Sequence, residues 1–107
     1  MEFRQIIERA KEVRKRYAEL ESKKYGKNWT RENHVQGLVG DVGDLMKLVM
    51  AKQGIRKIED VDDKLKHELA DCLWSILVIA NEYNVDIEKT FLETMDELEK
   101  NISLEEK

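Results

Sequence analysis

The chain has 107 residues, no proline, five glycines and one cysteine, and its 23 acidic residues against 19 basic ones leave a net charge of −4. A proline-free chain rich in Glu, Lys, Leu and Ala favours helix and excludes a turn-dense sandwich or barrel. The mildly acidic balance excludes gripping duplex nucleic acid, which needs a basic face. The length makes one domain, residues 1–107, with a core thin enough that a partner chain is expected to help. Cys72 has no internal disulfide partner, which fits a reducing compartment. No apolar stretch reaches the roughly 18 residues that span a bilayer. The opening Met1-Glu2-Phe3-Arg4-Gln5 lacks the layout of a signal peptide. The expectation is a cytoplasmic protein with no membrane contact.

Apolar spacing predicts four helices. In the first, Phe3, Ile6, Ala10, Val13, Tyr17 and Leu20 recur at steps of three and four, and Gly26 stops it. Its basic run Lys11, Arg14, Lys15 and Arg16 is expected on the outer face. The second helix starts after Thr30, a good N-cap, and runs to Gly54. Its stripe is Val35, Leu38, Val42, Leu45 and Val49, flanked by Val39, Met46 and Met50. The third spans roughly residues 62–84. The fourth starts at Asp86, with Ile87, Phe91, Met95, Leu98 and Ile102 on one face. Short connections between long amphipathic helices imply antiparallel neighbours, hence an all-α four-helix bundle. Residues 103–107 are expected to fray.

Residues 69–80 of the third helix are apolar except for Asp71 and Ser75. A helix apolar nearly all round is buried, so Asp71 is expected in or beside the core. There a carboxylate must protonate, pair or hold a metal. Glu68 lies at i,i+3 from it, on the same face. The second helix repeats the spacing with Asp41 and Asp44, and Leu48 projects between them, so this pair borders the apolar stripe. Four oxygen ligands on neighbouring helices suit a hard cation, Mg²⁺ or alternatively Mn²⁺. Mg²⁺ completes its shell with waters and substrate phosphates, so the cluster points to a phosphate ester. The bland alternative is a set of solvated acidic pairs. Gly37, Gly40 and Gly43 recur at steps of three. They predict close approach by another helix or by a ligand.

The stretch Gly37-Leu38-Val39-Gly40-Asp41-Val42-Gly43-Asp44-Leu45 resembles the GEVGEL core of the MazG-like superfamily, the all-α nucleoside triphosphate pyrophosphohydrolases. Glu68-Leu69-Ala70-Asp71-Cys72-Leu73-Trp74 resembles its ELxDxLW half. Ala80-Asn81-Glu82-Tyr83-Asn84-Val85-Asp86-Ile87 resembles its helix junction. The similarity covers roughly residues 29–95. It implies hydrolysis of a nucleoside triphosphate between its α and β phosphates, giving the monophosphate and pyrophosphate. Asp41, Asp44, Glu68 and Asp71 would hold Mg²⁺ and carry the catalysis. One acid not fully committed to metal would take a proton from the attacking water. The resemblance also implies a homodimer or homotetramer with sites near subunit contacts.

Two departures stand out. The first motif is DxxD where relatives have ExxE, and aspartate reaches one methylene less far. Relatives often carry Lys-Met-x-x-Asn on the fourth helix, where this chain has Thr94-Met95-Asp96-Glu97-Leu98. The contacts to phosphate and sugar from that helix are therefore altered. Trp29 stands near a base-stacking tryptophan of some relatives, with a core or interface role as the alternative. Trp74 is a candidate pocket wall, or plain core. Asn81 matches a family asparagine expected at the pocket edge. Lys52 and Arg56 are candidates for triphosphate oxygens, or else solvated charge. His67 is read as a partner of a neighbouring carboxylate, not a metal ligand.

Three functions compete. The first is a Mg²⁺-dependent pyrophosphohydrolase, with house-cleaning of non-canonical or excess nucleotides as one role for it. The second is a non-catalytic nucleotide- or metal-binding oligomerisation module of the same fold. The third is a related enzyme acting on a phosphoribosyl nucleotide of histidine synthesis.

Overall fold

A computed structural model of the chain describes residues 2–107. The order is α1 (Phe3–Tyr25), α2 (Arg31–Lys52), α3 (Val61–Glu82) and α4 (Ile87–Glu105), with no strand among the described residues. The expected all-α class and four helices are present, and most boundaries have a local cause. At the end of α1, Gly26 takes the left-handed conformation (φ 72°), and its N–H donates to the Ser22 carbonyl. The Thr30 hydroxyl accepts from Asn33 N–H at 3.1 Å, capping α2. The Asp86 carboxylate accepts from Lys89 N–H at 3.2 Å, capping α4. At the end of α2, Gly54 N–H donates to the Ala51 carbonyl and Ile55 N–H to Met50. Asn84 and Val85 repeat that pattern onto Asn81 and Ala80 at the end of α3. Gly54 and Asn84 both have positive φ, as such a cap requires.

Helices α2 and α3 lie antiparallel along their whole length. His34 meets Glu82 at one end, Asp41 meets Ser75 in the middle, and Lys52 meets Asp62 at the other end. Helix α1 crosses α3, pinned where the Trp74 indole Nε1–H donates to the Ala10 carbonyl at 3.1 Å. Helix α4 packs only lightly on α3 and has no buried residue. Its start is tethered by Arg4, 4.0 Å from Asp86 and 3.7 Å from Glu88.

The faces differ from the expected stripes. On α2, His34, Leu38, Asp41, Leu45 and Leu48 turn inward, while Val35, Val39, Val42, Met46 and Val49 remain exposed. The apolar arc of α2 is wider than one neighbouring helix can cover. On α1 the inward face is Ile7, Ala10, Arg14, Ala18 and Glu21, and Ile6, Tyr17 and Leu20 stay exposed. Arg14 is therefore not an outer-face residue; only Lys15 and Arg16 of that basic run are exposed.

Helix α3 also departs from the expectation of burial all round. Cys72, Leu77, Val78 and Ala80 are buried, but Leu69 and Leu73 are 52% and 48% exposed. No second helix of the same chain lies over that face. The C-terminal residues are not frayed: α4 continues to Glu105, with Glu106 N–H donating to the Ile102 carbonyl. No glycine or proline interrupts it there.

The radius of gyration is 17.3 Å, against about 13 Å for a compact domain of this length. The four helices thus form an open arrangement around α3. With so small a core, single buried positions matter. Leu77, 4% exposed, is expected to cost about 2–5 kcal/mol when truncated to alanine. Lys52→Ala, which removes only an exposed ion pair, is expected to leave stability unchanged. Urea unfolding of the two variants checks the contrast.

Candidate active site

The antiparallel register of α2 and α3 brings three of the four predicted acids together. Asp41 and Asp44 project from adjacent turns of α2, and Glu68 faces them from α3. Carboxylate oxygens of the three lie within 4.8 Å of one another. Opposite ligands of a six-coordinate divalent ion lie about 4–5 Å apart, at metal–oxygen distances of about 2.1–2.5 Å. The span and the all-oxygen donor set fit such an ion. Glu68 Oε1 adds a second reason, being buried with no hydrogen-bond partner. A buried acceptor left bare is costly unless something fills its coordination.

The electrostatics agree. Burial pushes the Glu68 carboxyl above the ordinary carboxylate range, and the charges of Asp41, Asp44 and Asp71 push it further. Ser75 Oγ donates to Asp41 Oδ2 at the long distance of 3.5 Å. Asp71 stands outside the tight trio. Its Oδ2 lies 3.2 Å from His67 Nε2, one turn earlier on α3. His67 thus pairs with a carboxylate, as its i,i+4 spacing suggested. Burial raises the Cys72 thiol, helped by the neighbouring carboxylates, which leaves it an inert apolar filler.

Two hollows flank the trio. One, of about 320 Å³, lies between α1, α2 and α3, with Asp41, Asp71 and Ser75 at its edge and Tyr17, Trp29 and Trp74 among its walls. Tyr17 and Trp74 rings sit 5.8 Å apart, and Trp29 and His34 rings 5.5 Å apart. The other is an open groove of about 530 Å³ bordered by Asp44, Glu68 and His67, with Lys47 and Lys64 on its walls beside Asp60 and Asp63.

Gly37 explains the position of Trp29. A Cβ there would stand 2.9 Å from the Trp29 ring, whereas at Gly40 and Gly43 it would meet nothing within 4 Å. The expected close approach is thus realised at one glycine of the three, by an aromatic ring.

The remaining candidates lie elsewhere. Lys52 Nζ is engaged with Asp62 at 2.6 Å, and Arg56 is exposed in the turn after α2. Asn81 lines a separate hollow with Arg4, Lys11 and Asn84. Thr94 on α4 donates its hydroxyl back to the Thr90 carbonyl at 2.7 Å. No α4 residue lines either hollow beside the acids.

The hollow also holds residues that sequence reasoning did not assign to it. Arg14 and Glu21 form a two-pronged ion pair, Nη1 to Oε2 at 3.1 Å and Nη2 to Oε1 at 3.2 Å. Their side chains are only 16% and 20% exposed. The hydrogen bond from Arg14 lowers the Glu21 carboxyl below its usual range. His34 Nδ1 lies 2.6 Å from Glu82 Oε1, yet burial, aided by Arg14, lowers the His34 pKa. The signal was available: Arg14 and Glu21 are seven residues apart, two turns on one face, in step with Ala10.

The model of the MazG nucleotide pyrophosphohydrolase domain matches residues 29–102, more than two thirds of the chain. The chain belongs to this family. No curated protein and no solved structure matches it significantly. The match takes in α2, α3 and most of α4, and with them all four acids. It leaves out α1, so Arg14, Tyr17 and Glu21 reach the hollow from outside the matched stretch. No helix among the described residues is long and apolar enough to cross a membrane.

The raised Glu68 pKa has a sign that can be tested. Between its unfolded and folded pKa values, the folded state binds more protons than the unfolded one. Stability contributed by this group is therefore lost as pH rises through that window, above the ordinary carboxylate range. In EDTA the protein is expected to melt lower at pH 7 than at pH 5.5 on this account. Mg²⁺ is expected to raise the melting temperature at pH 7. Glu68→Gln should weaken both responses. Melting curves at the two pH values, with and without metal, check it.

Proposed function

We propose that the chain is a Mg²⁺-dependent nucleoside triphosphate pyrophosphohydrolase, with Mn²⁺ as an alternative ion. The observation that carries this reading is the trio Asp41, Asp44 and Glu68 between an aromatic-walled hollow and a groove bearing two lysines. Asp41, Asp44 and Glu68 would hold the ion. A bound divalent ion neutralises phosphate charge and lowers the pKa of a coordinated water. Trp29 and Trp74, with Tyr17, offer faces for a base, placing the phosphates at the Asp41 edge. Lys47 and Lys64 stand where the far phosphates of such a substrate would lie. Asp71, outside the trio and oriented by His67, is the carboxylate left to take the proton of the attacking water. Attack between the α and β phosphates releases the nucleoside monophosphate and pyrophosphate, a chemistry suited to clearing unwanted triphosphates.

Pyrophosphate release from ribo- and deoxyribonucleoside triphosphates is the test. Release is expected with Mg²⁺ or Mn²⁺ and none in EDTA. Glu68→Gln and Asp71→Asn are each expected to lower kcat by at least about 100-fold while helical circular dichroism is kept. Full turnover in both variants refutes the assignment. The second reading, a binding module without turnover, is favoured by the retreat of α4 from the acids. Metal and nucleotide binding with no pyrophosphate from any substrate would establish it.

A homodimer or homotetramer is part of the same proposal. Exposed apolar residues recur along α2 (Val39, Val42, Met46), α3 (Leu69, Leu73) and α4 (Phe91, Ile102). Unpartnered surfaces of this kind mark association sites. Light scattering is expected to give a mass of two or four chains. Leu73→Arg, on the uncovered face of α3, should shift it toward one.

A further inference from the structure

The Arg14–Glu21 pair is left unused by metal binding and hydrolysis. It lies on α1, outside the family-matched stretch, and faces the same hollow as Trp29, Trp74 and Asp41. Because Glu21 neutralises Arg14, the pair is poorly suited to a phosphate. It is suited to a neutral ligand part that hydrogen-bonds.

The bonding accounts show what remains open. Glu21 Oε1 accepts from Arg14 Nη2 and from Trp29 N–H at 3.3 Å. Oε2 accepts only from Arg14 Nη1. A carboxylate oxygen has two acceptor sites, and a guanidinium has five N–H groups. Oε2 therefore keeps one acceptor site, and Nη1 keeps one N–H beside it. Together they form a fixed donor–acceptor couple that the Trp29 backbone bond holds in place.

We infer that the Arg14–Glu21 pair on α1 reads the hydrogen-bonding edge of the nucleobase and separates amino bases from keto bases. This rests on the nucleotide reading of the hollow. Adenine and cytosine present an exocyclic donor beside a ring acceptor. Guanine and uracil present an exocyclic acceptor beside a ring donor. The phosphates are tied to the Asp41 edge, so the base enters in one orientation and the order of its groups is fixed. One order then matches the couple. The other sets donor against donor and lone pair against lone pair in a partly buried site. A site built to hydrogen-bond one edge rejects the mismatched one. Trp74, held by its bond to the Ala10 carbonyl, gives the base a fixed wall, with the Tyr17 ring 5.8 Å from it.

The test uses the full chain and its only two tryptophans, Trp29 and Trp74, both in the hollow. Quenching of their fluorescence by the 5′-monophosphates of adenosine, cytidine, guanosine and uridine, with Mg²⁺ present and no α–β bond to hydrolyse, gives four dissociation constants. The expected result is a gap of at least about tenfold between the amino pair and the keto pair. Glutamine can both accept and donate, so Glu21→Gln should shrink the gap to within about threefold. Arg14→Lys should narrow it too, because an ammonium lacks the fork. Four equal constants, no quenching by any of the four, or variants that weaken all four equally would overturn the inference and leave the pair a clamp on Trp29. Should Glu21→Gln fail to fold, the wild-type panel decides alone. Hydrolysis of all triphosphates with equal kcat/KM would sink the base reading and spare the enzyme. A base-dependent gap without pyrophosphate release would do the reverse.

Discussion

The structure depends on one conflict: three carboxylates are held within 4.8 Å of one another where two helices pack. Like charges at that separation destabilise the α2–α3 pairing unless a proton or a cation offsets them. Glu68 shows the conflict most clearly, with its raised pKa and its unpartnered buried oxygen. The α2–α3 register is held by packing away from the acids, with His34 against Glu82 at one end. Leu48, Leu77 and Val78 are among the few buried apolar side chains of that pair. A cation held there would couple folding to ion binding.

The same register explains why so much apolar surface is uncovered. Turning Asp41 toward α3 rotates Val39, Val42 and Met46 away from it. A helix whose polar ligands and apolar residues share nearly all its circumference must find more than one partner surface. Helix α3 faces the same demand, with the acids and core on one side and Leu69 and Leu73 on the other. Within one chain only α1 and, slightly, α4 are there to meet it. The geometry that gathers the acids therefore also leaves apolar surface on α2 and α3 uncovered within the chain.

Much of this was legible in the sequence, for identifiable reasons. Caps are local chemistry, so Thr30, Asp86 and Gly26 marked their boundaries correctly. The i,i+3 spacing singled out Asp41, Asp44 and Glu68, which the structure brings together, whereas Asp71 stands apart with its side chain 39% exposed; the motifs matched the family. Helix rotation was less legible. Apolar spacing identifies a stripe, but on α1 and α2 two overlapping stripes were available, and only tertiary packing selects between them. That choice put Arg14 inside, which a reading of charge alone placed outside. Lys52, open in the sequence between triphosphate oxygens and solvated charge, pairs at the surface with Asp62, ten residues on.

The altered fourth helix can be understood through the same charges. Lysine and asparagine at positions 94 and 98 would serve a substrate only if α4 lay over the acids. Here Thr94 bonds its own helix and Leu98 joins an exposed apolar stripe. A cation on α4 would face solvent or a partner chain, not this trio. The cations that do border it, Lys47 and Lys64, come from the two helices that carry the ligands. Ligand, counter-charge and core then all depend on the single α2–α3 register. A shift of α3 along α2 by one turn would carry Glu68 away from Asp41 and Asp44 and Lys64 away from Lys47 together. Helix α4 is released from the site, free to present Phe91, Leu98 and Ile102 to another surface.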